Sequence, residues 1–326
     1  MKTLRSYVCG SWHEARTGLA PLVNPATEEN IAQAGSDGID FQAVLDHARQ
    51  VGSPALRSLS WQQRGEILKS MSKVLRENRD ELLALSRENS GTTLADGSFD
   101  VDGASGTLAY YYSLARTLGE KPFLMEGEAT ALSKSGELVG QHVLVPRRGV
   151  AVHINAFNFP TWGFAEKAAC SILAGMPAIT KPATATAALT ERAIELIVAA
   201  GVLPPGALQL VVGSTGDLLD HLEPLDVVAF TGSADTARSL RSRAHLLEAN
   251  VRFNVEADSL NAAVLAPDVA PGSATFELFV RDVVREISQK TGQKCTAVRR
   301  ILVPAARLAA TRERNRRLRP PLPPRP

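Results

Sequence analysis

One cysteine of this chain, Cys295, stands in a sequence context that suits covalent chemistry. It lies in the polar run GQKCT at residues 292–296, which follows an amphipathic segment at residues 276–287. A thiolate is a strong nucleophile, and a neighbouring cation such as Lys294 favours it. A free cysteine is also common as a small buried apolar residue, which is the alternative. The polar neighbours favour a nucleophile.

Two other polar side chains could assist a nucleophile. Asn158 lies between two phenylalanines in HINAFNFP at residues 153–160. An amide in such surroundings must satisfy several hydrogen-bonding atoms, and it is suited to stabilise an oxyanion in a transition state. Glu256 ends an apolar strand pattern at residues 251–255, where a carboxylate is either a general base or merely solvated. Taken alone, Asn158 is equally well a structural turn residue.

Two further motifs suit a nucleotide phosphate. Lys181 follows the apolar run at residues 177–180, and Thr231-Gly232-Ser233 joins another apolar run to a helical segment. Backbone N–H groups at a helix start bind phosphate, and glycine allows close approach. In isolation a lysine at a strand end is more often a solvated side chain, and a TGS turn is more often a plain helix cap. The G-x-G-x-x-G fingerprint is absent from the sequence, so the standard Rossmann argument does not apply.

The hydrophobic pattern predicts the elements that position these groups. After a short polar strand region, residues 1–120 are predicted to be mainly helical, and glycine-punctuated runs at 121–148 predict a β-hairpin. From residue 149 onward, short β-branched runs alternate with helix-length segments, which predicts an α/β doubly wound parallel sheet. Such a sheet binds ligands at the carboxyl ends of its strands. The predicted strands are 150–154, 177–180, 208–212, 226–230, 251–256, 261–266 and 299–303, and the predicted helices are 162–174, 185–200, 215–222, 233–245 and 274–291.

Composition limits the class of protein without identifying it. The chain has 326 residues, 44% of them apolar, which is enough for two domains. No apolar run of about 18 residues or more exists, so no membrane partner is expected. Cys9, Cys170 and Cys295 form no disulfide or metal-ligand pattern, which favours a cytoplasmic protein without a metal site. Residues 1–305 are mildly acidic, so no nucleic acid is expected as a partner.

The last residues of the chain differ sharply in composition from the rest. Residues 306–326 hold seven arginines and one glutamate, and prolines crowd their end. Few apolar side chains are available for burial, and proline blocks helix and sheet. The sequence therefore predicts a disordered Arg/Pro-rich tail at residues 305–326, which is either an accidental product of coding or a basic docking arm.

The motifs, taken in order, resemble the aldehyde dehydrogenase superfamily over residues 5–304. The order is Asn in an F-N-F-P loop, Lys-Pro, F-T-G-S, Glu, and then G-Q-x-C. HINAFNFP, KPATATA, VEADSLN and GQKCTAVRRILVP are most similar to the semialdehyde dehydrogenases of phenylacetate and benzoate degradation. Two positions depart from the wider family: E-A-D-S replaces the usual E-L-G-G, and Phe157 replaces the tryptophan before the catalytic asparagine. The resemblance implies an aldehyde dehydrogenase-like Rossmann variant with an incomplete second α/β catalytic domain.

The resemblance assigns the catalytic roles. Cys295 attacks the aldehyde carbon, and the Asn158 amide and the Cys295 backbone N–H hold the oxyanion. Hydride leaves to the nicotinamide, and Glu256 activates the water that hydrolyses the resulting thioester. Relatives that transfer the acyl group to coenzyme A tend to lack this base, so Glu256 favours the free acid as product.

The resemblance also implies a dinucleotide site. Lys181 would contact the adenosine ribose or its 2′-phosphate. NAD-preferring relatives carry a glutamate at the position of Thr184, so the uncharged Thr184 favours NADP, with NAD as the alternative. Gly213, Gly232 and Ser233 would line the pyrophosphate. The implied cofactor-binding residues are Ile154, Asn155, Ala156, Phe157, Lys181, Thr184, Gly213, Thr231, Gly232, Ser233 and Ala257.

The domain organisation follows from the same resemblance. Residues 1–255 would be the cofactor-binding domain, including a hairpin oligomerisation arm at 121–148, and residues 256–304 the first part of the catalytic domain. The expected substrate is a small aldehyde of aromatic degradation, in particular a CoA-linked semialdehyde, and the expected assembly is a homodimer. Since the family's last third has no counterpart here, the alternative is a truncated, inactive fragment that binds only cofactor or a partner. A cysteine hydrolase is a third candidate, but no histidine lies near Cys295 in sequence as a base.

Overall fold

A computed structural model describes residues 1–318, which divide into two compact units. The first unit ends at Ala257 and the second begins at Asp258. The boundary expected after residue 255 lies two residues before this division. The strands of the first unit are β1 (Lys2–Thr3), β2 (Arg5–Val8), β3 (Ser11–Glu14), β4 (Ala20–Val23), β5 (Asn30–Ala34), β6 (Leu124–Ala131), β7 (Val139–Leu144), β8 (Ala151–Ile154), β9 (Ala178–Lys181), β10 (Leu208–Leu210), β11 (Val227–Gly232) and β12 (Arg252–Ala257).

A seven-stranded sheet organises the first unit. Its strand order is β12-β11-β8-β9-β10-β2-β3. The five strands from β12 to β10 are parallel, whereas β2 and β3 continue the sheet in the antiparallel sense. The chain runs from β8 outward to β10 and then returns to β11 on the other side of β8. The predicted α/β doubly wound sheet is confirmed, and its topological switch point lies between β8 and β11.

Helices cover both faces of this sheet because successive strand residues point to opposite sides. Ala178 of β9 belongs to one apolar core, and the next residue, Ile179, belongs to the other. Helix starts follow ordinary capping: Ser60 and Gln63 form a capping box at the third helix. The helices are α1 (Phe41–His47), α2 (Ser53–Arg57), α3 (Trp61–Glu77), α4 (Arg79–Ser90), α5 (Leu94–Leu118), α6 (Pro160–Leu173), α7 (Ala187–Ala199), α8 (Ala234–Arg241) and α9 (Ala244–Glu248), with a π-helical turn at Ala48–Gly52 and 3₁₀ turns at Thr184–Thr186 and Leu218–His221.

Two smaller sheets complete the first unit. Strands β1, β5 and β4 form a three-stranded sheet, and β6 and β7 pair as an antiparallel hairpin. The hairpin falls within the range 121–148 predicted from the glycine pattern. Unlike the main sheet, it exposes a series of apolar side chains, namely Met125, Leu132, Leu138, Val139, Val143, Leu144 and Val145.

The second unit is small and carries its own apolar core. Strands β13 (Ala262–Val264) and β14 (Arg300–Leu302) pair in parallel. The other elements are α10 (Ala274–Ser288), a 3₁₀ turn at Gln289–Gly292, a second 3₁₀ turn at Ala305–Arg307, and α11 (Leu308–Leu318). The core residues Leu265, Phe276, Val280 and Val284 pack with apolar side chains of α11.

The prediction of disorder is wrong over residues 305–318. The helix α11 buries Thr311 and Asn315, and the Arg314 guanidinium lies 2.6 Å from the Glu277 carboxylate of α10. Arginine and alanine are good helix formers, and a charged face exposed to water does not oppose a helix whose other face packs. The expected tail at residues 319–326 lies outside the described residues.

Among residues 1–318, no helix combines the length and the apolar character that crossing a membrane requires. Over the same range, no three His, Cys, Asp or Glu side chains group in a way that could hold a metal ion.

Candidate functional site

Most of the predicted site residues of the first unit lie at one edge of the main sheet. In the register of the parallel strands, Ile154 pairs with both Lys181 and Phe230. Thr231 pairs with Glu256, and Gly232 pairs with Ala257. The carboxyl ends of β8, β9, β11 and β12 therefore meet at the same edge, and the switch point between β8 and β11 lies among them. This is the position at which open α/β sheets bind ligands.

The segment that carries Asn158, residues 155–159, connects β8 to α6 and is called the Asn158 loop. The Thr186 hydroxyl donates to the Phe157 carbonyl at 2.9 Å, and the Thr190 hydroxyl donates to the Pro160 carbonyl at 2.9 Å. Thr186 and Thr190 are both buried. Two hydroxyl groups, one from the 3₁₀ turn Thr184–Thr186 and one from α7, therefore hold the backbone on either side of Asn158, which is half-buried.

The start of α6 receives its cap from another helix. The buried Asp100 carboxylate of α5 accepts hydrogen bonds from the backbone N–H of Thr161 at 3.2 Å and of Trp162 at 2.9 Å. Pro160, the first residue of α6, has no N–H to satisfy, so the first donors that need a partner are these two. Asp100 thus orients the helix that follows the Asn158 loop.

Asn155, at the beginning of the loop, links β8 to β9. Its backbone N–H donates to the Lys181 carbonyl at 2.9 Å, and its side-chain Nδ2 donates to the Thr180 hydroxyl at 3.1 Å. Its Oδ1 is buried and receives no hydrogen bond from the described residues. A buried acceptor of this kind is costly unless another group satisfies it. Ile154, the residue before it, places its side chain in the apolar core.

The predicted ribose-binding residues follow β9. Lys181 is half-buried at the strand end, and burial lowers the pKa of its ammonium group. Thr184 begins the 3₁₀ turn Thr184–Thr186 and is half-buried. Ala156 is half-buried as well, whereas Phe157 is 51% exposed. At the end of β9, the Lys181 cation is thus followed by the uncharged Thr184.

The TGS turn has a local structural role. Ser233 is the N-cap of α8, where its Oγ accepts from the Thr236 N–H at 3.2 Å. A side chain at Gly232 would bring its Cβ within 2.6 Å of the Phe230 ring. The capping interpretation of this motif is therefore realised, and the glycine is explained by the packing of Phe230. The positive end of α8 still faces the carboxyl edge of the sheet.

Gly213 is explained by packing of a different segment. It has φ +97°, and a Cβ there would approach the backbone of Gly35 and Ser36 to within 2.6 and 2.8 Å. Only glycine tolerates this combination of left-handed backbone and close backbone contact. Its expected role in lining a pyrophosphate stays a prediction.

Glu256 is exposed near the end of β12, and it has two notable neighbours. The Thr231 hydroxyl donates to its carboxylate at 3.3 Å. Glu166 of α6 lies close enough for the two charges to interact, and the pKa of Glu166 is raised, chiefly by burial and further by the Glu256 charge, against the opposing effect of Lys167. Lys167 contacts Glu166 at 3.4 Å. The sequence analysis did not single out Glu166, and a glutamate-lysine pair on a helix gives no signal of its position.

Cys295 belongs to the second unit, in residues 289–297, which are called the Cys295 loop. The Cys295 side chain is exposed. Lys294 does not stand free beside it: its ammonium lies 2.6 Å from the Glu286 carboxylate and 3.0 Å from Gln289 Oε1. Because Lys294 is buried in these contacts, the expectation that it favours a thiolate at Cys295 loses its physical basis.

Comparison with known proteins identifies the family. The aldehyde dehydrogenase family profile matches residues 12–317. The chain is 48% identical over 302 residues to 3,4-dehydroadipyl-CoA semialdehyde dehydrogenase of Aromatoleum evansii, which covers 93% of this chain and 59% of that protein. It is 26% identical over 306 residues to succinate-semialdehyde dehydrogenase (NADP(+)) GabD of Escherichia coli (strain K12), which covers 92% of this chain and 59% of that protein. The chain thus spans about three fifths of the length of these curated relatives.

Solved structures share the fold. The structure of 3,6-anhydro-L-galactose dehydrogenase in complex with NAP matches with a TM-score of 0.82 at 24% identity, covering 97% of this chain and 63% of that chain. Betaine aldehyde dehydrogenase from Staphylococcus aureus in complex with NAD+ matches with a TM-score of 0.81 at 22% identity, covering 96% and 61%. These findings confirm the resemblance read from the ordered motifs. The chain belongs to the aldehyde dehydrogenase family.

Proposed function

We propose that the chain carries the nucleophile, the oxyanion donor, the general base and most of the cofactor site of an NADP-dependent dehydrogenase that oxidises a CoA-linked semialdehyde to the acid. The observation that carries the proposal is the 48% identity to a 3,4-dehydroadipyl-CoA semialdehyde dehydrogenase over 93% of this chain. The positions of Asn158, Lys181 and Glu256 along one sheet edge support it.

In the proposed mechanism, the Cys295 thiolate attacks the aldehyde carbon and forms a carbon–sulfur bond, while the carbonyl π electrons move to oxygen. The Asn158 amide and the Cys295 backbone N–H donate to this oxyanion, a type of contact that lowers the barrier by about 3 kcal/mol. When bound, the nicotinamide supplies the acceptor for the hydride that leaves the thiohemiacetal. Glu256 then takes a proton from the water that attacks the thioester, which releases the acid and the Cys295 thiolate.

The residues at the sheet edge fit a dinucleotide. The buried Oδ1 of Asn155 remains available as an acceptor, and Lys181 supplies a cation at the end of β9. Thr184 carries no charge that would repel a 2′-phosphate, which favours NADP over NAD. The similar solved structures include one complex with NAP and one with NAD+, which agrees with an NAD(P) site, and the preference for NADP rests on Thr184.

We also propose that the β6–β7 hairpin is an oligomerisation arm of a homodimer. Its exposed apolar side chains would be buried from water in an interface between two protomers. A large exposed apolar patch usually marks such an interaction site. Sedimentation equilibrium is expected to give a dimer, and a monomer at micromolar concentration would contradict this assignment.

The function is tested by following NADPH formation with a CoA-linked semialdehyde and with simpler aldehydes. Turnover is expected in the wild-type chain and none in Cys295→Ala, while Glu256→Gln is expected to retain a burst of NADPH and to lose about 100-fold in steady-state rate. Cys170→Ala is the matched control, because Cys170 is a second exposed thiol outside the proposed site. A faster rate with NAD at saturation would overturn the cofactor assignment, and an unchanged rate in Glu256→Gln would overturn the base.

A second candidate function is cofactor binding without turnover. It is favoured by the observation that the chain spans only 59% of its 48% identical relative. NADP binding measured by calorimetry, together with no NADPH formation with any aldehyde tested, would support this candidate and contradict the first.

A further inference from the structure

We propose that Ser259 and Asn261 are positioning residues that hold the backbone of Cys295 in the orientation its attack requires. The inference rests on the proposed function, since it concerns the residue proposed as the nucleophile. Both side chains belong to the second unit, as Cys295 does.

The two side chains donate to the same acceptor. The Ser259 hydroxyl donates to the Cys295 carbonyl, and the Asn261 Nδ2 donates to that oxygen at 2.8 Å. Asn261 Nδ2 also lies 3.3 Å from the Ala297 carbonyl. A carbonyl oxygen has two lone pairs, so two donors can satisfy it fully and define the plane of the peptide that follows Cys295. That plane fixes the ψ angle of Cys295, on which the direction of its side chain depends.

Asn261 also holds the chain beyond the cysteine through its backbone. Its carbonyl accepts from the N–H of Arg299 at 2.9 Å and of Arg300 at 3.1 Å, next to the start of β14. The side chain and the backbone of one residue therefore hold the nucleophile segment at two points. An alanine at position 261 would remove the first contact and leave the second in place.

The backbone before Cys295 explains why such contacts are needed. Lys290, Thr291 and Gly292 have φ of 58°, 54° and 75°, so three consecutive residues are left-handed. Lys290 and Thr291 carry side chains that disfavour this conformation, and it persists only where surrounding contacts over-determine it. Next to these residues, the ion pair of Lys294 with Glu286 at 2.6 Å holds the residue before Cys295, and Ser259 and Asn261 hold the Cys295 carbonyl.

The segment that presents Ser259 is itself in a special conformation. Asp258, the residue before it, has φ 54° although it is not glycine. Asp and Asn tolerate the left-handed region better than other residues with side chains. The left-handed residue Asp258 therefore directly precedes the serine that donates to the Cys295 carbonyl.

The test compares variants that remove one donor each. Ser259→Ala removes the hydroxyl, Asn261→Ala removes the amide, and Ser259→Thr retains a hydroxyl. Ser273→Ala is the matched control, because Ser273 also makes one hydrogen bond between its side chain and the backbone in the same unit. As the cap of α10, its Oγ accepts from the Phe276 N–H at 3.2 Å. Hydrogen exchange of the amides at residues 293–297 is measured by mass spectrometry, with α10 as the internal check of folding.

Exchange at residues 293–297 is expected to rise at least about tenfold in Ser259→Ala and Asn261→Ala, to return toward the wild-type rate in Ser259→Thr, and to stay unchanged in Ser273→Ala. The kcat for aldehyde oxidation should fall about tenfold in the two donor variants with the KM for NADP unchanged, because misplacing a nucleophile slows the chemical step without weakening cofactor binding.

The outcomes separate this inference from the proposed function. Equal exchange of residues 293–297 in Ser259→Ala and Ser273→Ala would overturn the positioning role of Ser259, and the same result in Asn261→Ala would overturn that of Asn261. A kcat that falls equally in Ser273→Ala would reduce both residues to a general structural role. The wild-type chain could show no turnover while the donor variants still show raised exchange at residues 293–297. That result would establish the backbone contacts and refute the dehydrogenase function.

Discussion

The Asn158 loop and the Cys295 loop hold their candidate catalytic groups by different means. The Asn158 loop is bordered by buried partners from helical segments of the main unit, namely Thr186, Thr190 and the Asp100 carboxylate. The Cys295 loop has three left-handed residues and depends on polar contacts within a small unit, namely those of Ser259, Asn261 and the Lys294–Glu286 pair. Burial makes the first loop rigid through the core, whereas the second loop is rigid only as long as a few polar contacts persist. Substitutions should therefore act globally at the first loop and locally at the second.

The largest effect is expected from Asp100→Ala. The substitution leaves a buried and a partly buried N–H group at the start of α6 without their charged acceptor, and it should lower the free energy of unfolding by about 3 kcal/mol, as measured by urea denaturation. Asp102→Ala on the same helix is the control, because the Asp102 carboxylate pairs with the exposed Arg79, and an ion pair at the surface contributes little to stability. Equal losses in the two variants would mean that the Asn158 loop does not depend on burial.

A smaller effect is expected from His153, the β8 residue two positions before the loop. Burial, with a smaller contribution from Lys167, lowers its pKa from 6.5 to about 3. The unfolded state therefore binds a proton more readily, so stability is fully present above pH 6.5 and is lost as the pH falls toward 3. Between pH 6.5 and 5 the loss should be about 2 kcal/mol.

His153→Leu should abolish this part of the pH dependence, measured by urea unfolding at each pH. His142→Leu, at a side chain that is 85% exposed on the hairpin, is the matched control and should keep the wild-type slope. If the free energy of unfolding of His153→Leu still falls with pH as in the wild type, other groups cause the pH dependence. That result would also argue against a rigid, buried support for the Asn158 loop.

The smallest global effect is expected from Lys294→Met in the Cys295 loop. Loss of the partly buried ion pair with Glu286 should lower the stability of the second unit by about 1 kcal/mol, while hydrogen exchange at residues 293–297 rises. Asp282→Asn, which breaks the exposed pair of Asp282 with Arg285 on the same helix and leaves Glu286 untouched, should change neither quantity. A global loss as large as that of Asp100→Ala would remove the contrast between the two loops.

Much of the fold could be predicted from the sequence because the main sheet is buried and its strands read as short β-branched runs. The predicted strands 150–154, 177–180, 226–230 and 251–256 each end within two residues of the end of the observed strand. Their common edge then followed from the rule that parallel strands present their carboxyl ends together. The disordered tail was predicted wrongly over 305–318, because composition counts the arginines and cannot register the packing of α11 on the core of α10.

The contacts that hold the two loops could not be predicted. Asp100 is separated by 61 residues from the N–H group of Thr161 that it caps, and Asn261 by 34 residues from Cys295. No local pattern marks such pairs, since each residue is an ordinary polar side chain in its own segment. Lys294 shows that closeness in sequence can also mislead. Its position next to Cys295 predicted an effect on the thiol, but in the structure its ammonium group pairs with Glu286.

The sequence by itself determined the family and the candidate chemistry, because the order of Asn158, Lys181, Glu256 and Cys295 is written in local motifs. It also determined the alternation of strands and helices, since hydrophobic periodicity is a local property. Only the tertiary structure decided which side chains orient these groups, because those contacts join segments far apart in the chain. It also decided that Ser233 is a helix cap and that Asn155 keeps a buried acceptor, since burial is a property of the folded chain alone.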